Sequence, residues 1–110
     1  MMQLNVYRDA LVVIAGVARL GERIRRRDPD LARQLRRAAP SIALNIAEGE
    51  TAIGGNRRLR FDTAIGSAKE TVACLEVAVA MTYLPQRDIE ASVDGLGRVV
   101  ATLVKLQRRG

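Results

Sequence analysis

Asn45 and Glu48 stand three residues apart in the stretch SIALNIAEG, residues 41–49, inside a segment that otherwise reads as a buried helix. Counting back from Asn45 at helical spacing gives Ile42, Ala38, Leu35 and Leu31, so the amide continues an apolar stripe. A buried amide needs hydrogen-bond partners. Two roles fit. One is a structural clamp made of Ser41, Asn45, Glu48, Gly49, Gly66 and Glu70, with Asn45 and Glu48 fastening the loop after Gly49 or the start of the next helix. In it, the small Gly66 and Ser67 let that helix approach closely. The other is a ligand pocket built from Asn45, Glu48 and Glu70. No nucleophile or metal partner accompanies those three residues, so the clamp is the expected role.

Other catalytic chemistry is limited by what the chain lacks. Without histidine it cannot build the Glu-x-x-His pairs of di-iron bundles, a His-based triad or the usual catalytic zinc site. Glu48, Glu50, Glu70 and Glu76 show no spacing that separates acid-base chemistry from surface charge. GLGRVV, residues 95–100, lacks the third glycine and the preceding strand of a dinucleotide loop, so its glycines are expected to mark close helix contact. The expectation is a protein that is not an enzyme, with no catalytic residue, metal site or cofactor.

Arginine is the stronger chemical signal. The formal net charge is +6, and the basic side chains are overwhelmingly arginine, whose planar fork suits phosphate oxygens. From Arg19 to Arg37 eight arginines face three acids. Of these, Arg23, Arg26, Arg33, Arg36 and Arg37 are candidate nucleic-acid contacts. The bland alternative is a solvated hairpin end, supported by arginines at a helix C-terminus, where the dipole favours cations. Arg57, Arg58 and Arg60 form a second candidate cluster at the start of a helix, where the dipole opposes cations and free amides favour an anion. With only 3% aromatic residues the chain has no base-stacking platform, so recognition through backbone charge and shape is expected.

These residues must be positioned by helices. The chain of 110 residues is 48% hydrophobic and poor in aromatics, which favours helices packed through Ala, Leu and Val in a single domain spanning 1–110. The spacing predicts helix 1 over Leu4 to Arg26, and helix 2 from Pro29, capped by Asp28, to about Glu48, with Pro40 interrupting its interior and Gly49 as the stop. Residues 49–55 are expected to be the longest loop, with Asn56 capping helix 3, which runs to about Leu84 before Pro85. Helix 4 runs from Gln86 or Asp88 to the terminal arginines. The Phe61, Ile65, Ala68, Val72, Leu75, Val79 stripe steps by four and three, the seam of a shallow-angle bundle. The expected fold class is all-α, an antiparallel up-and-down four-helix bundle.

Compartment and partners follow more coarsely. The one cysteine, Cys74, lies in an apolar run and is expected in the core, in keeping with a reducing, cytoplasmic setting. The apolar run from Ala10 to Ala18 follows Arg8 and Asp9, does not read as a signal peptide and is too short to span a bilayer. With no Trp and one Phe, a membrane-surface helix is also disfavoured. That run is apolar on every face, more than one seam can bury, which predicts self-association.

RRAAPSIALNIAEG, followed after a glycine-containing loop by RLRFDTAIGSAKETVACLEVA, resembles the 23S rRNA-intervening-sequence proteins. The pattern falls on Arg36 to Ala38, Ser41 to Gly49, Phe61, and Gly66 to Glu70, and the resemblance spans nearly the whole chain. Many members carry a proline inside the Ser-to-Asn segment, whereas here Pro40 precedes Ser41. The resemblance implies a cytosolic homopentamer, similar in architecture to the accessory variability determinant of diversity-generating retroelements, a basic barrel that works with a reverse transcriptase and nucleic acid. Two functional classes stay open: an accessory factor binding RNA or DNA backbone, and an oligomeric protein-interaction scaffold whose basic face is only solubilising.

Overall fold

Helix formation follows the punctuation of the chain. The computed structural model describes residues 5–109, with α1 at Asn5–Arg25, α2 at Pro29–Thr51, α3 at Gly54–Ala80 and α4 at Gln86–Arg109. Leu4 lies outside the described residues. Asp28 accepts a hydrogen bond from the Leu31 amide, and Pro29 opens α2, where a missing amide hydrogen costs nothing.

Three boundaries differ from the expectation. Gly49 does not stop α2, which runs unbroken through Pro40 and on to Thr51, leaving only Ala52 and Ile53 outside helix before α3. The expected seven-residue loop is therefore almost wholly helical. Asn56 is not the cap of α3, because the helix begins two residues earlier behind Ile53, which makes no side-chain cap, and Gly54 supplies the turn with a φ of +60°. At its other end α3 stops at Ala80 rather than Leu84. The Thr82 amide bonds back to the Val79 carbonyl and the Tyr83 amide to the Ala78 carbonyl, a Schellman closure that puts Thr82 at a φ of +66°.

Each helix packs on its neighbours in sequence, and α4 closes on α1. The contacts set the directions. Arg37 meets Glu70 and Gly49 meets Phe61, so α2 and α3 run antiparallel; Arg23 meets Asp88 and Val13 lies against Gly95, so α1 and α4 do too. The result is an antiparallel up-and-down bundle, 42 Å long and about half as wide.

The core is thin and aliphatic, with Phe61, Ile24, Leu35, Ile42, Ile46, Leu75, Leu96 and Leu103 fully buried. Backbones approach closely where side chains vanish. A Cβ on Gly95 would lie 2.6 Å from Val13 Cγ2, so Gly95 marks the tight helix contact expected of GLGRVV, whereas Gly97 faces open space. Apolar surface is left over outside: Leu11, Val12 and Leu44 are exposed, Val12 by 74%. None of the described helices is long and apolar enough to cross a membrane.

Candidate functional site

Ser41, Asn45 and Gly49 sit at the seam between α2 and α3, while Glu48 and Glu70 form ion pairs on its solvent side and Gly66 faces open space. Asn45 is half-buried and its Nδ2 donates within its own helix, to the Ser41 carbonyl at 2.9 Å and to Ser41 Oγ at 3.0 Å. Ser67 Oγ donates to Ser41 Oγ at 2.8 Å, and this is the link that crosses to α3. Glu48 is exposed and pairs with Arg60 at 2.8 Å, while Glu70 pairs with Arg37 at 3.0 Å. Glu48 therefore reaches the start of α3 not through a buried hydrogen bond to backbone but as half of a solvent-facing ion pair, of a kind worth about 0–1 kcal/mol.

Gly66 is also reassigned. A side chain there would meet nothing within 4 Å, so it does not enable a close approach, and Ser67 alone sits at the seam. Gly49 has the close-packing role instead, since a Cβ would lie 2.7 Å from Phe61 Cδ1. The three polar residues proposed as a ligand pocket are drawn into separate contacts, with Asn45 turned to Ser41, Glu48 to Arg60 and Glu70 to Arg37.

The candidate arginines fall at different levels of the bundle. Arg23 pairs with Asp88 at 2.8 Å, Arg36 with Glu22 at 3.9 Å, and Arg33 with Asp30, all near the α1–α2 turn. Arg26, beside them, has no ion pair with a described residue. Arg57, Arg58 and Arg60 lie at the opposite end of α2, roughly 30 Å away at helical rise. Arg57 is spent on packing: its Nη1 donates to the Gly49 carbonyl at 3.3 Å and its guanidinium stacks 4.9 Å from the Phe61 ring centre. Arg58 alone of the three has no side-chain partner among the described residues.

Sequence reasoning missed the cations that α4 adds. Gln107 Nε2 donates to the Arg58 carbonyl at 3.3 Å and to the Asp62 carboxylate, which brings the end of α4 against the start of α3. Lys105 and Arg108 are thereby carried to the Arg58 end, and neither pairs with an acid among the described residues. The antiparallel order was the signal that could have found them.

Two titrating groups are perturbed, both within structure. Burial pushes the Cys74 thiol up, Glu70 adds to the rise and Arg37 opposes it. The Tyr83 phenol is pushed up, first by its 3.0 Å hydrogen bond to Asp28 Oδ2, then by desolvation and the Asp28 charge, with Arg27 working against them. Tyr83 thus ties the α3–α4 turn to the residue that caps α2.

Fold and seam together define an all-α protein of the small four-helix-bundle class, with its polar side chains paired across α2 and α3. The profile of the 23S rRNA-intervening sequence protein family matches residues 2–105, and the chain belongs to that family. A solved structure from Bacteroides thetaiotaomicron, a protein of unknown function from the S23 ribosomal protein family, is similar in fold, with a TM-score of 0.83 and 20% identity over 93% of this chain and 97% of that one. No curated protein matches.

Proposed function

We propose that the chain is a non-enzymatic, self-associating cytoplasmic protein that binds the phosphate backbone of RNA or DNA as an accessory factor. The observation that carries this reading is that Arg58, near the start of α3, and Lys105 and Arg108, near the end of α4, share one end of the bundle without acid partners among the described residues, the same end at which the free amides of α3 add to the attraction for an anion. The exposed ion pairs elsewhere are weak enough to exchange a carboxylate for a phosphate. A homo-oligomer, a pentamer by resemblance, repeats this end several times and gives avidity without sequence-specific contacts. The enzyme such a factor would serve is one that itself handles nucleic acid, a reverse transcriptase being the class that the resemblance suggests.

A second reading has its own support: Arg23, Arg33, Arg36, Arg37 and Arg60 are all satisfied by acids of the same chain, which suits a protein-interaction scaffold. Titration of labelled RNA and DNA at low and moderate salt separates the two. Binding that weakens steeply with salt is the expected result; undetectable binding at low salt removes the nucleic-acid reading and leaves the scaffold.

A further inference from the structure

Between α1 and α2 lies an open cleft of about 250 Å³, smaller than the roughly 300–1,000 Å³ of pockets that hold drug-sized ligands. Small residues make the room. Ala18 and Gly21 of α1 line it together with Ala32 and Ala39 of α2, where larger side chains would close the gap, and the fully buried Val17 and Leu35 lie at its back.

Three polar groups edge this apolar recess. Glu22 and Arg36 both line it, with Arg36 Nη2 standing 3.9 Å from Glu22 Oε2, outside hydrogen-bonding distance. Glu22 gives its other oxygen to Arg25 at 3.2 Å, and Arg36 makes no hydrogen bond with a described residue. The third group is backbone. Pro40, also in the lining, has no amide hydrogen, so the Arg36 carbonyl one turn back loses its ordinary helical donor. A cation, an anion and an acceptor short of a donor therefore border one small cleft.

We infer that the cleft between α1 and α2 binds a free α-amino acid with an apolar side chain of the size of leucine. The α-carboxylate matches the Arg36 guanidinium, whose planar fork takes two oxygens. The α-ammonium carries three donors, which match the Glu22 carboxylate and the carbonyl at 36. The side chain is left for the recess in front of Val17 and Leu35. A simple fatty acid would set its oxygens against Glu22 and that carbonyl, and a simple amine would leave Arg36 without an acceptor; the zwitterion meets all three groups. It also replaces one stretched ion pair by two close ones. The Glu22 and Arg36 side chains are 60% and 66% exposed, so binding is weak and falls with salt. Arg36 is not among the cations that carry the nucleic-acid reading, and the two stand or fall separately.

Calorimetric titration of L-leucine into the full-length protein at low salt tests the assignment. Melting curves give a second readout, since a ligand that binds only the folded bundle raises the melting temperature. Leucine is expected to bind saturably. Leucinamide and N-acetyl-leucine, which each lack one charge and stand for the two ends of a peptide, are expected to bind about tenfold more weakly. Arg36→Gln and Glu22→Gln should each weaken leucine binding by about tenfold. Ala18→Trp, at an exposed position from which the ring fills the recess, should abolish it with helix content unchanged. No heat and no thermal shift at tens of millimolar leucine overturns the inference, as does binding that survives Ala18→Trp or both glutamine variants. Leucinamide or N-acetyl-leucine binding as tightly as leucine overturns it too, because the occupant would then be a peptide end.

Discussion

Gly49 lies against one side of the Phe61 ring, so close that a Cβ would come within 2.7 Å of Cδ1. The ring is fully buried and has the Arg57 guanidinium over its face, so it has little freedom to retreat. Alanine in a helix interior gains about 1 kcal/mol over glycine, but overpacking a core costs about 1–3 kcal/mol. Gly49→Ala is therefore expected to destabilise on balance, by about 1–2 kcal/mol in urea unfolding. Gly66→Ala, with open space around it, should instead stabilise by about 0.5–1 kcal/mol. The pair controls for helix propensity: if both variants shift in the same direction, the Phe61 contact is not what requires glycine at 49.

Thr82 closes α3 with a positive φ although it is β-branched. That position of a Schellman motif is cheapest for glycine. Thr82→Gly is expected to raise stability by about 1 kcal/mol, with the backbone bonds to Val79 and Ala78 retained. The loss of the short Thr82 hydroxyl bond to the Met81 carbonyl works against it but is solvent-exposed and weak. A drop in melting temperature would show that the hydroxyl, not the backbone, dominates this turn.

The seam between α2 and α3 ranks its own members. Ser41 Oγ accepts from both Asn45 and Ser67, so Ser41→Ala removes the inter-helix bond, takes the acceptor from the Ser67 hydroxyl and leaves Asn45 only the backbone carbonyl at 41. It is expected to cost about 1–2 kcal/mol, whereas Glu48→Ala, losing an exposed pair, should cost under about 1 kcal/mol. Equal losses for the two would mean that Glu48 has a partner stronger than Arg60.

Four helices, their order and the Asp28–Pro29 start were legible because apolar spacing and capping are local signals. The α2–α3 junction was not, since glycine at 49 reads as a stop until its contact with Phe61, twelve residues on, is known. Asn45 misled in a similar way: its place on the stripe indicated burial, but the acceptor lay one turn back at Ser41. Of the arginines, those at 57–60 could be placed at a helix start from sequence, but their separate fates depended on Glu48, Phe61 and the returning α4.

Stability should fall in alkali, with a sign fixed by two groups. Cys74 and Tyr83 both have folded-state values raised above their ordinary ones, so each holds its proton more tightly when folded. Their contributions are complete below the unfolded values, about 8.5 for a thiol and about 10 for a phenol, and are lost as pH rises through the folded ones. Melting curves from neutral to alkaline pH should show the parent declining, Cys74→Ala declining less over the thiol range, and Tyr83→Phe less at higher pH. An unchanged profile in both variants would place the alkaline transition elsewhere.

The two arginine clusters can be separated by charge reversal. Arg57 is a poor site to alter, because it packs on Phe61 and bonds Gly49, so its loss would confuse folding with binding. Arg58 and Arg108 are exposed and have no acid partner among the described residues. Arg33, at the far end, is already neutralised by Asp30. Replacing Arg58 and Arg108 together by Glu should weaken RNA binding at low salt by about tenfold or more and flatten the slope of log affinity against log salt by about 1 to 2, as expected when one or two phosphate contacts are lost. Arg33→Glu should do less, because Asp30 already offsets its charge, although it leaves two acids one turn apart on α2. Melting temperatures of all three proteins should agree closely, since none of these side chains reaches the core. Were Arg33→Glu the more damaging change, the phosphate-binding end would be the α1–α2 turn, with the Asp30 pair opening to admit the backbone.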